Sequence, residues 1–297
     1  MRTPTFLFFP LFFYFLALAS SQGAKAQVEE QYRIYDTRTS QEISIEDLNV
    51  ALAGANVVMF GEEHDDSIAH ILQADLYEAM LASYGDVTLS MEMFERDVQL
   101  VLDEFLADLI SEEKLVQEGR AWPNYRDYAP ILALAKSSQN PVIAANVPGR
   151  YAQMVARKGL AALKELDNRA SGFYETFDLP SRDDPYRKKF FDAMGEHGHG
   201  MGPEVFHAQL LRDATMAASI FDAWRANRRG KVLHLTGRFH SDSHLGTVKL
   251  LQDRRRRLEL MVISCFSVND FQDPDWGEYR GLGDVVIVTV GDAAGGE

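Results

Sequence analysis

The sequence predicts an α/β protein: three layers, a mainly parallel sheet with helices on both faces, and a helical insertion or lid. Three observations carry this. Short apolar runs of strand length recur, among them "VVMF" (57–60), "PVIAANV" (141–147) and "DVVIVTV" (284–290), as expected of strands buried on both faces. Segments with helical spacing separate them, and such alternation predicts parallel strands joined by crossovers. One stretch, 147–229, shows no convincing strand and interrupts the alternation.

The N-terminus is read first. Arg2 precedes an apolar run, Phe6 to Ala19, and Ala24-Lys25-Ala26 fits the small-x-small cleavage rule, so residues 1–26 read as a signal peptide cut before Gln27. The run is short for a membrane span of roughly 20 residues, which leaves an uncleaved anchor as the lesser reading. Without a cysteine near the cut there is no lipid attachment, and the protein is expected to be periplasmic or secreted. Removing Arg2 and Lys25 leaves 28 basic against 44 acidic residues, a net charge near −16. Nucleic acid is therefore not an expected partner, because binding it needs a basic footprint. The one positive run, Arg254 to Arg257, ends a predicted helix, where cations complement the carbonyl end of the dipole. Cys265, alone in an apolar stretch, reads as a small buried hydrophobe rather than a nucleophile.

The remaining elements follow in order. "QYRIYDTRTSQEIS" reads as a strand or hairpin, and Ser44 with Asp47 caps a brief helix. After "VVMF", Asp66 is the N-cap of a helix with Ile68, Leu72, Leu76, Ala79 and Met80 on one face, closed by Gly85. "VTLSMEM" (87–93) is a strand, "RDVQLVLDEFLADL" and "PILALAKSS" are helices, and "PVIAANV" is the third core strand. The insertion ends in a long helix from Pro203, with Phe206, Leu210, Ala214, Ala217 and Trp224 at helical spacing. "VLHLT" (232–236), a helix around "SHLGTVKLLQ", "LELMVISCF" and "DVVIVTV" complete the core. The domain reading is a core of 27–146 and 230–297 with the insertion at 147–229.

Parallel sheets keep ligands outside the carboxyl ends of their strands. There the sequence places Gly61-Glu62-Glu63-His64, Met91-Glu92, Asn146 and Gly237-Arg238-Phe239-His240. Two Gly-x-x-His motifs therefore follow apolar strands, and histidine with carboxylate suits a divalent metal or acid–base chemistry near neutral pH.

"VVMFGEEHDD", "SMEMFERD" and "TGRFH" together resemble the ChaN-like haem-binding uptake family of the Tiki, TraB and erythromycin-esterase superfamily. "WPNYRDYAPILALA", "PVIAANVP" and "FHAQLLRDATMAASI" extend the resemblance over most of Val57 to His244. It implies a three-layer α/β core with a helical lid and carries over Glu62, His64, Glu92 and His240 as the matching site positions. Some members are lipoproteins, and this chain departs from them in lacking the cysteine.

Two functions follow from the resemblance. The first is an exported envelope protein that holds haem for iron uptake at the strand ends. Haem needs an axial donor, an apolar slot and cations for its propionates. Tyr125, Tyr128 and Tyr151 are the candidate phenols, Arg126, Arg150 and Arg238 the candidate cations, and His199, with His197 and His207, a candidate from the "GEHGHGMG" loop and the helix after it. The second is a metal-dependent ester or peptide hydrolase, with His64, Glu92 and His240 holding the metal and Glu62 or Glu92 as general base. Neither a Gly-x-Ser-x-Gly elbow nor His-Glu-x-x-His occurs. His70, His234 and His244 read as structural or surface residues. The ligand is haem or another small molecule, and an envelope transport partner and a homodimer are left open.

Overall fold

The computed structural model describes residues 31–198 and 202–291. The expected signal segment and His199 lie outside them. Strands β1 (Tyr32–Asp36) and β2 (Gln41–Ile43) form the N-terminal hairpin; β3 (Val57–Glu62), β4 (Val87–Glu95), β5 (Val142–Asn146), β6 (Lys231–Gly237), β7 (Leu260–Val268) and β8 (Val285–Val290) follow. One eight-stranded sheet results, in the order β2-β1-β8-β7-β3-β6-β4-β5. β3, β4, β5, β6, β7 and β8 pair in parallel, and only the β1 pairings are antiparallel. The sheet is thus mainly parallel, as the apolar runs predict.

The helices are α1 (Ile45–Ala51), α2 (Ser67–Tyr84), α3 (Gln99–Leu106), α4 (Glu112–Glu118), α5 (Tyr125–Ser138), α6 (Gly149–Lys158), α7 (Pro185–Gly198, broken at Gly195), α8 (Glu204–Ala226) and α9 (Gly246–Arg254). The caps read from sequence are present: Ser44 and Asp47 form a reciprocal box, and the Asp66 carboxylate accepts from the Ile68 and Ala69 amides. Gly85 closes α2 at φ +75°, a conformation that costs glycine little. The short helix α4 escaped sequence reading because it buries little more than Leu115.

Alternation along the strands sends side chains to two cores. Val58, Phe60, Leu89, Leu235 and Ile263 pack with Leu72, Leu76, Tyr128 and Leu132 of α2 and α5. Val57, Met59, Val232 and Val262 pack on the other face with Ala217, Ile220 and Trp224 of α8 and Val248 and Leu251 of α9. Fully burying each such aliphatic side chain contributes about 1.5–3 kcal/mol, which is what drives the three layers together. Within 147–229 the described residues hold no strand, and α8 lies on the sheet itself, with Ala217 and Ile220 wholly buried. Lys231 ties the amino end of the sheet by donating to the carbonyls of Leu52, Ala53 and Ala55 at 2.9, 2.8 and 2.6 Å.

The topology sets the site. β6 returns between β3 and β4, so the carboxyl ends of these three strands, the ones carrying Glu62, Gly237 and Glu92, lie side by side.

Candidate functional site

Glu62 ends β3 on the α2–α5 face. Gly61 before it is required sterically: a Cβ there would sit 2.8 Å from the Arg238 Cα. The Glu62 side chain is buried and surrounded by donors. Oε1 takes the Tyr128 hydroxyl and lies 2.9 Å from His64 Nδ1, while Oε2 takes the Gln73 amide. His70 Nε2 stands 3.4 Å from Oε2, close enough for attraction but not aligned as a hydrogen bond. Burial opposes ionisation of Glu62, yet contacts with His64 and His70 outweigh it and hold the carboxyl below its ordinary range.

His64 extends from this network towards Gly237. Its ring packs edge-on to Trp122 at 4.9 Å, and Asn124 Nδ2 donates to its backbone carbonyl at 2.8 Å. Its side chain is 44 % exposed. With Nδ1 on Glu62, Nε2 lies against Gly237, where an added Cβ would come within 2.8 Å. Burial lowers the imidazole pKa, but the Glu62 hydrogen bond and the Glu92 charge raise it above the usual value.

Glu92 stands on the α8 face of β4. Its Oε2 accepts from the Thr236 hydroxyl at 2.6 Å and the Gly237 amide at 2.9 Å, and Oε1 lies 3.3 Å from His240 Nε2. His240 Nδ1 is 2.7 Å from Asp213 Oδ1, and Asp213 also accepts from Tyr186 at 2.8 Å and Thr247 at 2.9 Å. Burial opposes the His240 charge, yet Glu92 first and Asp213 second raise its pKa to about 10. Burial likewise opposes the Glu92 charge, and the His240 cation overrides it, holding the carboxyl well below the usual range. The network is a buried imidazolium between two carboxylates.

Glu62, His64, Glu92 and His240 therefore converge, with the two glutamates on opposite faces of the sheet and His64 bonded to Glu62 within range of the Glu92 charge. The divalent metal expected on His64, Glu92 and His240 is not supported: among the described residues no three or more His, Cys, Asp or Glu are arranged to hold one. Both His240 nitrogens instead face carboxylates, Nδ1 at 2.7 Å from Asp213 and Nε2 at 3.3 Å from Glu92.

The expected haem contacts scatter. The Tyr128 hydroxyl is committed to Glu62, and burial, then the Glu62 charge, drive its pKa far up. Tyr125 donates to Glu112 at 3.0 Å, and Arg126 is exposed beside it. Arg150 pairs with Asp97 at 2.5 Å and lies over Tyr151. Arg238 is held by Glu63 and Asp242, each at 3.0 Å, and covers Phe266. Sequence reading missed His70, Gln73, Asp213 and Tyr186. Asp213 had a legible signal, a charge between Leu210, Ala214 and Ala217 on the apolar stripe of α8. His70 and Gln73 lie three apart on α2 and so share a face.

Fold and site together define an α/β protein with a histidine–carboxylate site at the carboxyl ends of its central strands. The chain belongs to the family described as "Haem-binding uptake, Tiki superfamily, ChaN", whose model matches residues 48–251. Among solved structures it is similar to ChaN of Campylobacter jejuni, described by its cofacial haem binding, at 20 % identity and a TM-score of 0.65 over 88 % of this chain and 98 % of that one. Weaker likenesses are the type III effector HopBA1 (14 % identity, TM-score 0.47, 84 % and 94 % covered) and an erythromycin esterase variant in its open conformation (12 %, 0.48, 88 % and 83 %). Nothing among curated proteins matches.

Proposed function

We propose that the protein binds haem at the carboxyl rim of its sheet, with His64 as iron donor and the cleft between α4 and α5 receiving the macrocycle. The Glu62–His64 pair carries this reading. A metal-ligating imidazole characteristically gives its other N–H to a carboxylate, which fixes the tautomer and strengthens the donor. His64 Nδ1 meets buried Glu62 in that way, on a ring that stays half exposed. The adjoining cleft has a volume of about 650 Å³, walled by Val116, Trp122, Pro123 and Tyr125, with Arg126 at hand for a propionate. Glu112 and Glu113 also line it, which favours the Arg126 end for the carboxylates. Trp122 joins the cleft to His64. Bound haem would supply the iron chemistry; the chain supplies donor, slot and cation. Tyr125 is a wall and Tyr128 a buried partner of Glu62 rather than iron donors here, since burial first and then neighbouring carboxylates keep both phenols protonated.

The proposal extends to an exported haem carrier of the cell envelope, on the strength of residues 1–26 and of the family's uptake role. A transport partner would then receive the haem. A homodimer would bring two haem faces together, in keeping with the cofacial binding described for the Campylobacter jejuni protein.

Haemin titration of the purified protein, followed as a Soret difference spectrum, tests the reading. His64→Ala is expected to weaken binding at least tenfold and move the band, while Tyr125→Phe keeps the wild-type band. Because His64 holds its proton more tightly than usual, affinity should fall as pH drops. Wild-type affinity and spectrum in His64→Ala would refute the assignment. Export is checked separately by N-terminal sequencing of protein from the periplasmic fraction, which should begin at Gln27.

A further inference from the structure

A second cavity, of about 690 Å³, opens between residues 179–187 and the first turns of α8. Leu179, Pro180 and Phe206 form apolar walls, and Arg182, Arg187 and His207 supply its polar groups. None of the rim residues lines it, and its described lining contains no carboxylate. That is unusual in a chain with a formal net charge of −14. Phe206 is almost fully buried and Leu179 is 54 % exposed, so an apolar surface runs from floor to mouth.

The two guanidiniums have no ion pair among the described residues. Arg187 instead lies over the rings of Phe191 at 4.8 Å and Phe206 at 5.7 Å, which orients a flat cation along the apolar wall. Arg150 is occupied by Asp97, and Arg238 by Glu63 and Asp242. Planar guanidinium forks recognise carboxylates two hydrogen bonds at a time. His207 is half-buried, and burial, then the Arg187 charge, lower its pKa against the pull of Glu204. Its imidazole is thus neutral at neutral pH, with a lone pair to offer.

We propose that this groove is a second station for an iron porphyrin: the ring rests against Leu179 and Pro180, the carboxylates meet Arg182 and Arg187, and His207 supplies the iron donor. An apolar wall, two cations without an ion pair among the described residues and one neutral imidazole fit that chemistry better than they fit a purely apolar or a purely anionic molecule. The inference rests on the haem reading for the identity of the ligand and on the groove alone for its place. Two stations on one chain would let haem be taken up at one and passed from the other.

The test counts haemin bound per chain at saturation in wild type, His64→Ala, Arg182→Glu/Arg187→Glu and their combination. The expected counts are two, one, one and none, with His207→Ala in the His64→Ala background shifting the remaining Soret band. Urea midpoints check that each variant folds, and Arg182→Ala/Arg187→Ala, expected to weaken the groove at least tenfold, replaces the charge reversal if it does not. A charge reversal that leaves count and affinities unchanged overturns the groove, as does a wild type that binds no haemin. If reversal removes the only binding and His64→Ala keeps it, the groove stands and the rim assignment falls.

Discussion

Glu92→Gln is the perturbation that most directly probes the charged heart of the site. The side chain keeps its shape but loses the charge that does most to hold His240 protonated. His240 is buried and its pKa stands near 10 rather than 6.5. Breaking a buried pair by removing one partner typically costs about 3–5 kcal/mol, because the other charge stays out of water. Here the imidazolium can relieve part of that by shedding its proton, and Thr236 and Gly237 can still donate to the amide oxygen, so the lower half of the range is expected near pH 6.5. The sign of the pH dependence follows from linkage. A pKa raised by folding gives stability that is complete below about 6.5 and is lost as pH rises through about 10, at up to roughly 1.4 kcal/mol per pH unit. Wild type should therefore weaken across that window, whereas the variant, with His240 nearer its unperturbed pKa, should be flatter. Urea unfolding at pH 6.5 and pH 9.5 reads the difference between the two proteins, in which the titration of other groups largely cancels. The gap should be largest at pH 6.5 and shrink by pH 9.5. An equal gap at both values, or one under about 1 kcal/mol at pH 6.5, would refute the buried imidazolium.

Gly237→Ala places a methyl within 2.8 Å of His64 Nε2 and 2.9 Å of Cε1, so the ring must move. Overpacking of this kind costs about 1–3 kcal/mol, and haemin affinity should drop with it; unchanged binding would mean that this imidazole position is not used. Tyr128→Phe removes one of the donors to buried Glu62, worth about 1–3 kcal/mol as an unsatisfied acceptor. A lower melting temperature with an unchanged Soret band is expected, and a lost band would make Tyr128 the ligand.

The strands "VVMF" and "DVVIVTV" announced themselves because burial on both faces leaves a local apolar run, and β3 and β8 lie where those runs are. The caps Ser44 and Asp66 and the stop at Gly85 were legible because capping is a contact within a few residues. Glu62, His64, Glu92 and His240 could be gathered at one rim from strand ends alone. The metal set finds no support among the described residues, because each side chain's partners depend on neighbours that no local pattern reveals. Asp213 lies 27 residues before His240, and its bond to that imidazole occupies Nδ1.

The sequence by itself determined the class of sheet, the strand ends that carry the chemistry and the family to which they belong. These follow from periodicity and from short motifs, which are properties of neighbouring residues. Only the tertiary structure decided that β6 threads between β3 and β4, that the two glutamates face opposite sides, and that His64 bonds to Glu62 while Gly237 donates to Glu92. It also turned Tyr128 towards Glu62 across 66 residues of chain and, among the described residues, left Arg182 and Arg187 in a groove lined by no carboxylate. Those outcomes depend on which side chains meet after long loops close, and on the charge each finds there. Residue type and spacing do not encode that; packing does.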